Sequence, residues 1–373
     1  MLVHREAPVF GELPRNILAK YVNGDQLISE LFDTVVFMEQ RITLDPKKPR
    51  ALWRMNSVYG PTPLDSVEYR GRTLLVKDET ARMGLGAFKA LGGIYAVAQM
   101  IADKAGISVA PEGYSSDDFL RTAEAMTFVC ASAGNHGMAV AAGAAMFGAK
   151  ARIHLAETVP EAFATRLREK GAEVVRSGDD YEASIAAAIE DAEASGAVHL
   201  ADGSWTGYTE PPRLVMEGYT VMAEEMRETF EATGSWPSHV YLQAGVGGLA
   251  AAVAYMIRSS WAVQPRILVV EPDAAPCLRE SARAGQLLTV SGPTSNMGRL
   301  DCKTPSMLAY EILRDAADEW LIVTDAEAEE AVGKAREMGY STTPSGAAGL
   351  TACLAGDAPH PLVILSECGL DDD

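Results

Sequence analysis

With 373 residues and a formal net charge of −19, the chain is long enough for two lobes and too acidic to offer a phosphate-neutralising surface, which argues against nucleic acid or an anionic membrane as partner. Hydrophobic residues are 48% and charged residues 22%, the balance of a globular chain with sizeable cores rather than of a disordered one. A small anionic ligand stays open, because a local nest of backbone N–H groups holds phosphate whatever the net charge.

Taken from the start, "MLVHREAPVFGELPRN" has no apolar signal core, and no uninterrupted apolar run reaches transmembrane length. "RTLLVKDE" predicts a strand and Ala90 to Asp103 a helix. Lys89 stands between them, after a glycine-bracketed loop. "AMTFVCAS" predicts a strand, followed by a small-residue helix from Gly137 to Phe147. Next come a strand in "ARIHLA", a helix from Glu161 to Lys170 that stops at Gly171, and a strand in "AEVVRS". A helix from Tyr181 to Ala194 and a short strand in "AVHLA" complete the first series.

A Pro-containing connection, "YTEPPR", breaks the alternation near residues 205–215. It resumes with strands in "HVYLQAG", "RILVVEP", "EWLIVTD" and "PLVILSE", and with helices from Leu249 to Met256 and Ala326 to Met338. Strands alternating with helices imply an α/β fold with mostly parallel sheets. Two such series predict two open α/β lobes with a cleft between them. The closing "DDD" reads as a solvated tail. The five cysteines, Cys130, Cys277, Cys302, Cys353 and Cys368, are odd in number and lack metal-site spacing. They read as reduced thiols of a cytoplasmic protein, and no metal is expected.

Four places carry chemistry. "LQAGVGGLAAAV" puts a glycine cluster between a strand and a helix, where the backbone approaches an anion and the helix start points N–H donors at it; a tight turn is the plainer alternative. "ASAGNHGMAVAAGAAMFG" puts Ser132, Gly134, Asn135 and His136 at a second helix head, fit for a carboxylate or for a simple cap by Ser132 or Asn135. His136 alone is more often a packing histidine. "VILSECG" ends the last strand, where open α/β sheets bind ligands, so Ser366 and Glu367 are candidates for a site, with a merely exposed polar loop as the alternative. Lys89 completes the set. An amine beside phosphate and carboxylate cradles suggests a Schiff base with pyridoxal 5′-phosphate, and burial or a neighbouring cation would lower its pKa from about 10.4.

Together these segments resemble the fold type II pyridoxal-phosphate enzymes, and among them the diaminopropionate ammonia-lyases. The family's LVKDE-x-x-R-x-GL-x-AFK-x-LGG is "LVKDETARMGLGAFKALGG" here, and its GNHGRGVA is "GNHGMAVA". Its LQAGVG loop is "LQAGVGGLA", its DTAWEGY segment continues as "DGSWTGYTEPPRLVMEGY", its VEPDxAxC is "VEPDAAPC" and its SGAVGL is "SGAAGL". The resemblance runs in order through roughly residues 59 to 369.

It implies a large cofactor-binding domain of residues 1–88 and 205–373, a small mobile domain of residues 89–204, and the cofactor in the cleft between them. Lys89 would hold the cofactor and act as base at Cα, and Asn135 would bond its phenolic oxygen. Gly245, Val246, Gly247, Gly248 and Leu249 would cradle its phosphate, and Ser366 would meet its ring nitrogen. Ser132, Gly134 and His136 would hold the substrate carboxylate, and Asp202 a β-ammonium, unless Asp202 only caps a turn. The implied reaction is α,β-elimination of a β-substituted L-amino acid, 2,3-diaminopropionate going to pyruvate and ammonia, in a homodimer.

Two departures matter. Ala133 stands where the family carries an aspartate before Gly-Asn-His, and Pro344 where it carries a glutamate before Ser-Gly. An alanine methyl moves no proton, so Lys89 is expected to be the sole Cα base and the enzyme to use L-substrates without racemisation. A serine, threonine or hydroxyaspartate dehydratase of the same fold is the alternative. A non-catalytic pyridoxal-phosphate or amino-acid binding protein is a third reading, from another class.

Overall fold

The computed structural model of the protein describes residues 42–107 and 111–369, and the opening stretch and the closing aspartates read above lie outside them. Everything described below belongs to the unit Leu44–Asp373. In chain order, helix α1 (Lys47–Arg54) precedes the hairpin of β1 (Leu64–Tyr69) and β2 (Arg72–Asp78), and α2 (Lys89–Ala105) and α3 (Asp117–Glu124) follow. The small lobe continues through β3 (Thr127–Ala131), α4 (Asn135–Phe147), β4 (Lys150–Leu155), α5 (Glu161–Glu169), β5 (Glu173–Arg176), α6 (Tyr181–Ser195) and β6 (Val198–His199). Then come α7 (Glu210–Thr233), β7 (His239–Gln243), α8 (Gly248–Ser260), β8 (Arg266–Pro272), α9 (Cys277–Ala284), α10 (Met307–Ala316), β9 (Glu319–Val323), α11 (Asp325–Glu337), α12 (Pro344–Ala355) and β10 (Pro361–Leu365).

Two open sheets result. The larger runs β1-β2-β10-β7-β8-β9, parallel except for the β1–β2 pair. The smaller runs β5-β4-β3-β6 and is parallel throughout. A parallel strand with helices on both faces is apolar along its whole length, and β10, with the sequence PLVIL, is buried at all five positions.

The expected break near residues 205–215 is different in the structure. Glu210 to Thr233 is one helix of 24 residues. Pro211 and Pro212 lie in its first turn, where the missing N–H and the fixed φ are tolerated, so the prolines begin a helix rather than interrupt one.

Helix α2 is wedged between α7 and α4, and small residues make this possible. A Cβ on Gly92 would lie 2.5 Å from the Val215 carbonyl of α7, and one on Gly218 would lie 2.7 Å from the Gly92 Cα. On its other face a Cβ on Gly93 would lie 2.6 Å from the Ala139 methyl of α4. Lys89 is the first residue of this helix, so the "LGG" behind it fixes where the amine stands.

Candidate active site

Three adjacent strands of the large sheet end at one edge, and each delivers a part. Strand β2 leads into the loop that ends at Lys89. That loop is strapped to the end of β10: Ala87 bridges Glu367, the Phe88 N–H donates to the Ser366 carbonyl at 3.1 Å, and the Cys368 N–H donates to Gly86 at 2.9 Å. Strand β10 ends at buried Ser366. Strand β7 is followed by Gly245, Val246 and Gly247, and Gly248 and Leu249 open α8. Gly247 has φ +103, a conformation that side chains resist, and no side chain caps the helix. The N–H groups of the first turn therefore have no intrahelical acceptor, and they point at whatever lies before the helix.

The small sheet supplies the facing wall. Strands β3 and β6 are neighbours, and the chain leaves β3 toward β4 on its other side. Residues after both strand ends therefore meet at a switch point, where open α/β sheets bind ligands. After β3 come Ser132, Gly134, Asn135 and His136; after β6 comes Asp202. No side chain caps α4. The Ser132 hydroxyl instead accepts the Gly134 N–H at 3.3 Å, and Asn135 donates to Glu367 across the cleft. The loop after Asp202 is pinned to the large lobe. The Ser204 and Ser306 hydroxyls pair at 2.7 Å, and the Leu308 N–H donates to Ser204 at 2.9 Å.

Lys89 and Asp202 form a direct ion pair in the cleft, each about a fifth exposed. Burial alone would push the lysine pKa down, as expected from the sequence. The Asp202 carboxylate outweighs it and moves the amine above its ordinary value. Burial likewise works to raise the Asp202 carboxyl, and Lys89 followed by His136 overcomes it, holding the group well below the usual carboxylate range.

His136 is 5% exposed, and its Nε2 donates to the Leu200 carbonyl at 2.8 Å. Its Nδ1 is buried without a partner, and in the neutral ring with Nε2 protonated that atom carries no N–H, so only the backbone N–H is left to donate to a carboxylate. Burial lowers its pKa, and burial followed by the His136 charge lowers His199 to about 4. The unfolded chain takes up both protons near pH 6.5 while the folded one does not, so stability falls as pH drops below about 6.5. The urea midpoint is expected to be lower at pH 5 than at pH 7, with a smaller drop in His199→Gln. A drop as large in His199→Gln as in wild type would refute the account, since Glu271, raised to about 7 by burial, works the other way over this range in both proteins.

Residues that the sequence reading left without a role stand here too. The Tyr219 hydroxyl is buried without a hydrogen-bond partner, and its ring packs edge-on against Phe88 at 4.9 Å. Cys302 lies beside Asp202 and Lys89, its thiol pushed up to about 11 by burial and then by Asp202. Tyr181, first in α6, feels Asp202 as well. Glu367, already a candidate in the sequence, accepts from Asn135 and from the Thr343 hydroxyl at 2.5 Å, and Arg299 stands 3.7 Å from it. Tyr219 closes the quoted motif "MEGY", so a signal existed. Arg299 had none, since its partners are remote in the chain.

Among the described residues no group of three His, Cys, Asp or Glu side chains is placed to hold a metal, and no helix is long and apolar enough to cross a membrane. A pyridoxal phosphate does fit. The uncapped α8 start suits its phosphate, the Lys89 amine its aldehyde, and the orphan Tyr219 hydroxyl shows polar capacity left over beside the lysine. Two open α/β lobes with a lysine at the cleft and an anion cradle at a strand end define a fold type II pyridoxal-phosphate enzyme.

Comparison with known proteins agrees. The family pattern described as "Pyridoxal-phosphate dependent enzyme" matches residues 55–366. The diaminopropionate ammonia-lyase of Escherichia coli (strain K12) is 34% identical over 320 residues, covering 81% of this chain and 79% of that protein. The crystal structure of the Escherichia coli enzyme in complex with an aminoacrylate–PLP azomethine reaction intermediate superposes with a TM-score of 0.78. It is 28% identical and covers 89% of this chain and 92% of that one. A threonine deaminase from T.th. has a TM-score of 0.71 at 25% identity, covering 88% of this chain and 99% of that one. The chain belongs to the pyridoxal-phosphate-dependent enzyme family and, within it, to the diaminopropionate ammonia-lyases. It is a pyridoxal-phosphate-dependent lyase that catalyses α,β-elimination.

Proposed function

We propose that the substrate is L-2,3-diaminopropionate or a close β-amino analogue, cleaved to a 2-keto acid and ammonia by a cytoplasmic homodimer. The observation that carries this reading is the Lys89–Asp202 pair. It sets the Asp202 carboxylate beside the Lys89 nitrogen, the atom that would hold the cofactor and that an incoming substrate would displace. A substrate β-ammonium that pairs with Asp202 takes up the charge that would otherwise raise the pKa of the displaced amine. Lys89 is then free to act as the base at Cα.

The leaving group follows from the same pair. A β-ammonium departs as ammonia and needs no acid. A β-hydroxyl needs a proton donor, and a carboxylate, ionised at neutral pH, is a poor one. This favours the ammonia-lyase over the dehydratase.

Pyridoxal phosphate, when bound, supplies the electron sink for charge left at Cα. The N–H groups from Gly245 through Leu249 bind its phosphate, Asn135 its phenolic oxygen and Ser366 its ring nitrogen. For Asn135 to do so it must give up Glu367. The N–H groups at the head of α4, from Gly134 to His136, together with the Ser132 hydroxyl, orient the substrate carboxylate. Lys89 moves the proton at Cα from one face only, because Ala133 offers no second base. Residues 89–204 move as the small domain and exclude water on closing.

The test is turnover of a panel of L- and D-β-substituted amino acids by wild type and Asp202→Asn. The variant should lose about 100-fold in kcat/KM on L-2,3-diaminopropionate, the worth of one charge-assisted hydrogen bond, and much less on L-serine. An unchanged preference for amine over hydroxyl would refute the role of Asp202. Substantial turnover of the D-enantiomer would refute the single base.

A further inference from the structure

Where the family carries acids this chain carries none at two positions, Ala133 and Pro344, and two arginines line a notch beside Ala133 that is too tight for a water until the Arg299 side chain swings aside. Arg299 lies flat on Gly134: its Nη1 would be 2.8 Å, and its Cζ 3.1 Å, from a Cβ built there. It comes from the loop whose carbonyl at 299 also faces Gly245, 3.1 Å from a Cβ on that residue, so it belongs to the wall between the two cradles. Arg166, on α5, lines the same pocket with Phe163 and Met138. The Arg299 guanidinium stacks over the Phe163 ring at 5.9 Å.

Neither arginine is neutralised as other half-buried arginines here are. Arg152, Arg213 and Arg227 each bond two carboxylates. Arg299 has one carboxylate, Glu367, 3.7 Å from its Nε, and its two terminal nitrogens bond no described residue. Glu367 is shared with Asn135 and Thr343. Arg166 is half-buried and bonds no described carboxylate. A planar guanidinium with two free parallel donors matches a carboxylate bidentately. One carboxylate of the substrate is already provided for at the head of α4, so the arginines call for a second.

We propose that the site also turns over an amino acid with a second carboxylate on the β-carbon, Arg299 and Arg166 holding that group. This rests on the reading of Asp202 and Lys89 given above. The class that satisfies all three parts is a 3-aminoaspartate, 2,3-diaminosuccinate. Its β-ammonium meets Asp202, its α-carboxylate the α4 head and its β-carboxylate the arginines. Lys89 takes the Cα proton, the Cβ–N bond breaks, and ammonia leaves with the electron pair of that bond. The enamine formed between Cα and Cβ is hydrolysed by one water to oxaloacetate and a second ammonia. Arg299 and Arg166 are specificity-determining residues in this step and do not touch the migrating proton.

The holoenzyme is assayed on 2,3-diaminosuccinate (oxaloacetate formed) and L-2,3-diaminopropionate (pyruvate formed), as wild type, Arg299→Ala, Arg299→Lys and Arg166→Ala. Binding is read separately as the rise in Tm with succinate against acetate. Wild type is expected to turn over both substrates and to be stabilised by succinate. Arg299→Ala should lose about 30-fold or more in kcat/KM on the dicarboxylate alone, the worth of a charged hydrogen bond, together with the succinate shift. Arg299→Lys should recover part of both, and Arg166→Ala should lose less than Arg299→Ala. Turnover of diaminopropionate with none of diaminosuccinate overturns the proposal and leaves the ammonia-lyase reading intact. Equal losses on both substrates overturn it too, since they make Arg299 a clamp for the α-carboxylate. Turnover of neither substrate defeats the underlying reading.

Discussion

Lys89→Ala is expected to lower keto-acid formation by at least about 10⁴-fold, because it removes the covalent attachment of the cofactor and the Cα base together, and a positioned base alone is worth about 10²–10⁴-fold. Borohydride treatment of wild type should fix a pyridoxyl group on the Lys89 Nζ, and the variant should carry none. Folding is the necessary control, since the variant leaves Asp202 without its partner. A circular dichroism melt near that of wild type shows that the loss is chemical. Lys89→Ala/Asp202→Asn, which removes the orphaned charge, should melt no lower than Lys89→Ala and be equally inactive. A variant that keeps activity within tenfold of wild type, or a borohydride label on another side chain, would remove the basis of the mechanism.

Where most of the candidate residues stand in the fold was legible in the sequence because each sits on a local signal. A strand, a glycine cluster and a helix in "LQAGVGGLA" are neighbours in the chain, and the uncapped start of α8 is what that order produces. The same holds for Asn135 at the head of α4 and for Ser366 after β10. What was not legible depends on remote pairs. The order β2-β10-β7 brings residues 89, 366 and 245 to one edge, and no periodicity encodes it.

The pKa of Lys89 is such a case. Burial, which the apolar run after it foretells, pushes one way, and Asp202, 113 positions on, pushes harder the other way. Helix α7 was hidden by the prolines of its first turn. Strand β1, LDSVEY, was hidden by its position at the sheet edge, where it is only partly buried and carries two acids. Arg299 and Arg166 belong to this non-local class as well, and the pocket they line is what makes them visible.

Arg82→Leu is expected to destabilise the protein by about 3–5 kcal/mol, the usual cost of stranding a buried charge, out of the 5–15 kcal/mol or so that a native protein has. Arg82 is fully buried. It donates to both Glu79 oxygens at 2.7 Å, to Glu225 at 2.9 and 2.8 Å, to the Gly60 carbonyl at 3.0 Å and to the Thr62 hydroxyl at 2.9 Å. Buried Lys77 donates to the same Glu225 at 2.6 Å, and the Tyr59 hydroxyl donates to it at 2.8 Å. Burial would raise the Glu225 carboxyl, and the bonds and charge of Arg82, then Lys77, overcome it and hold the group low.

Two cations against two carboxylates close the network. Without Arg82 one negative charge stays buried with no counterpart, whereas Arg82→Leu/Glu79→Leu removes a charge of each sign. The double variant should therefore regain much of what the single one loses, since a buried pair replaced as a whole by apolar side chains is often neutral in stability. Urea midpoints of the three proteins decide it. A single variant within about 1 kcal/mol of wild type would be below the range for a stranded buried charge and would refute the account. The network ties the residue 60–62 loop and the end of β2 to α7, which packs on α2. A partly folded Arg82→Leu should therefore lose cofactor retention before it loses its secondary structure, because the loop from Asp78 to Lys89 hangs from that end of β2.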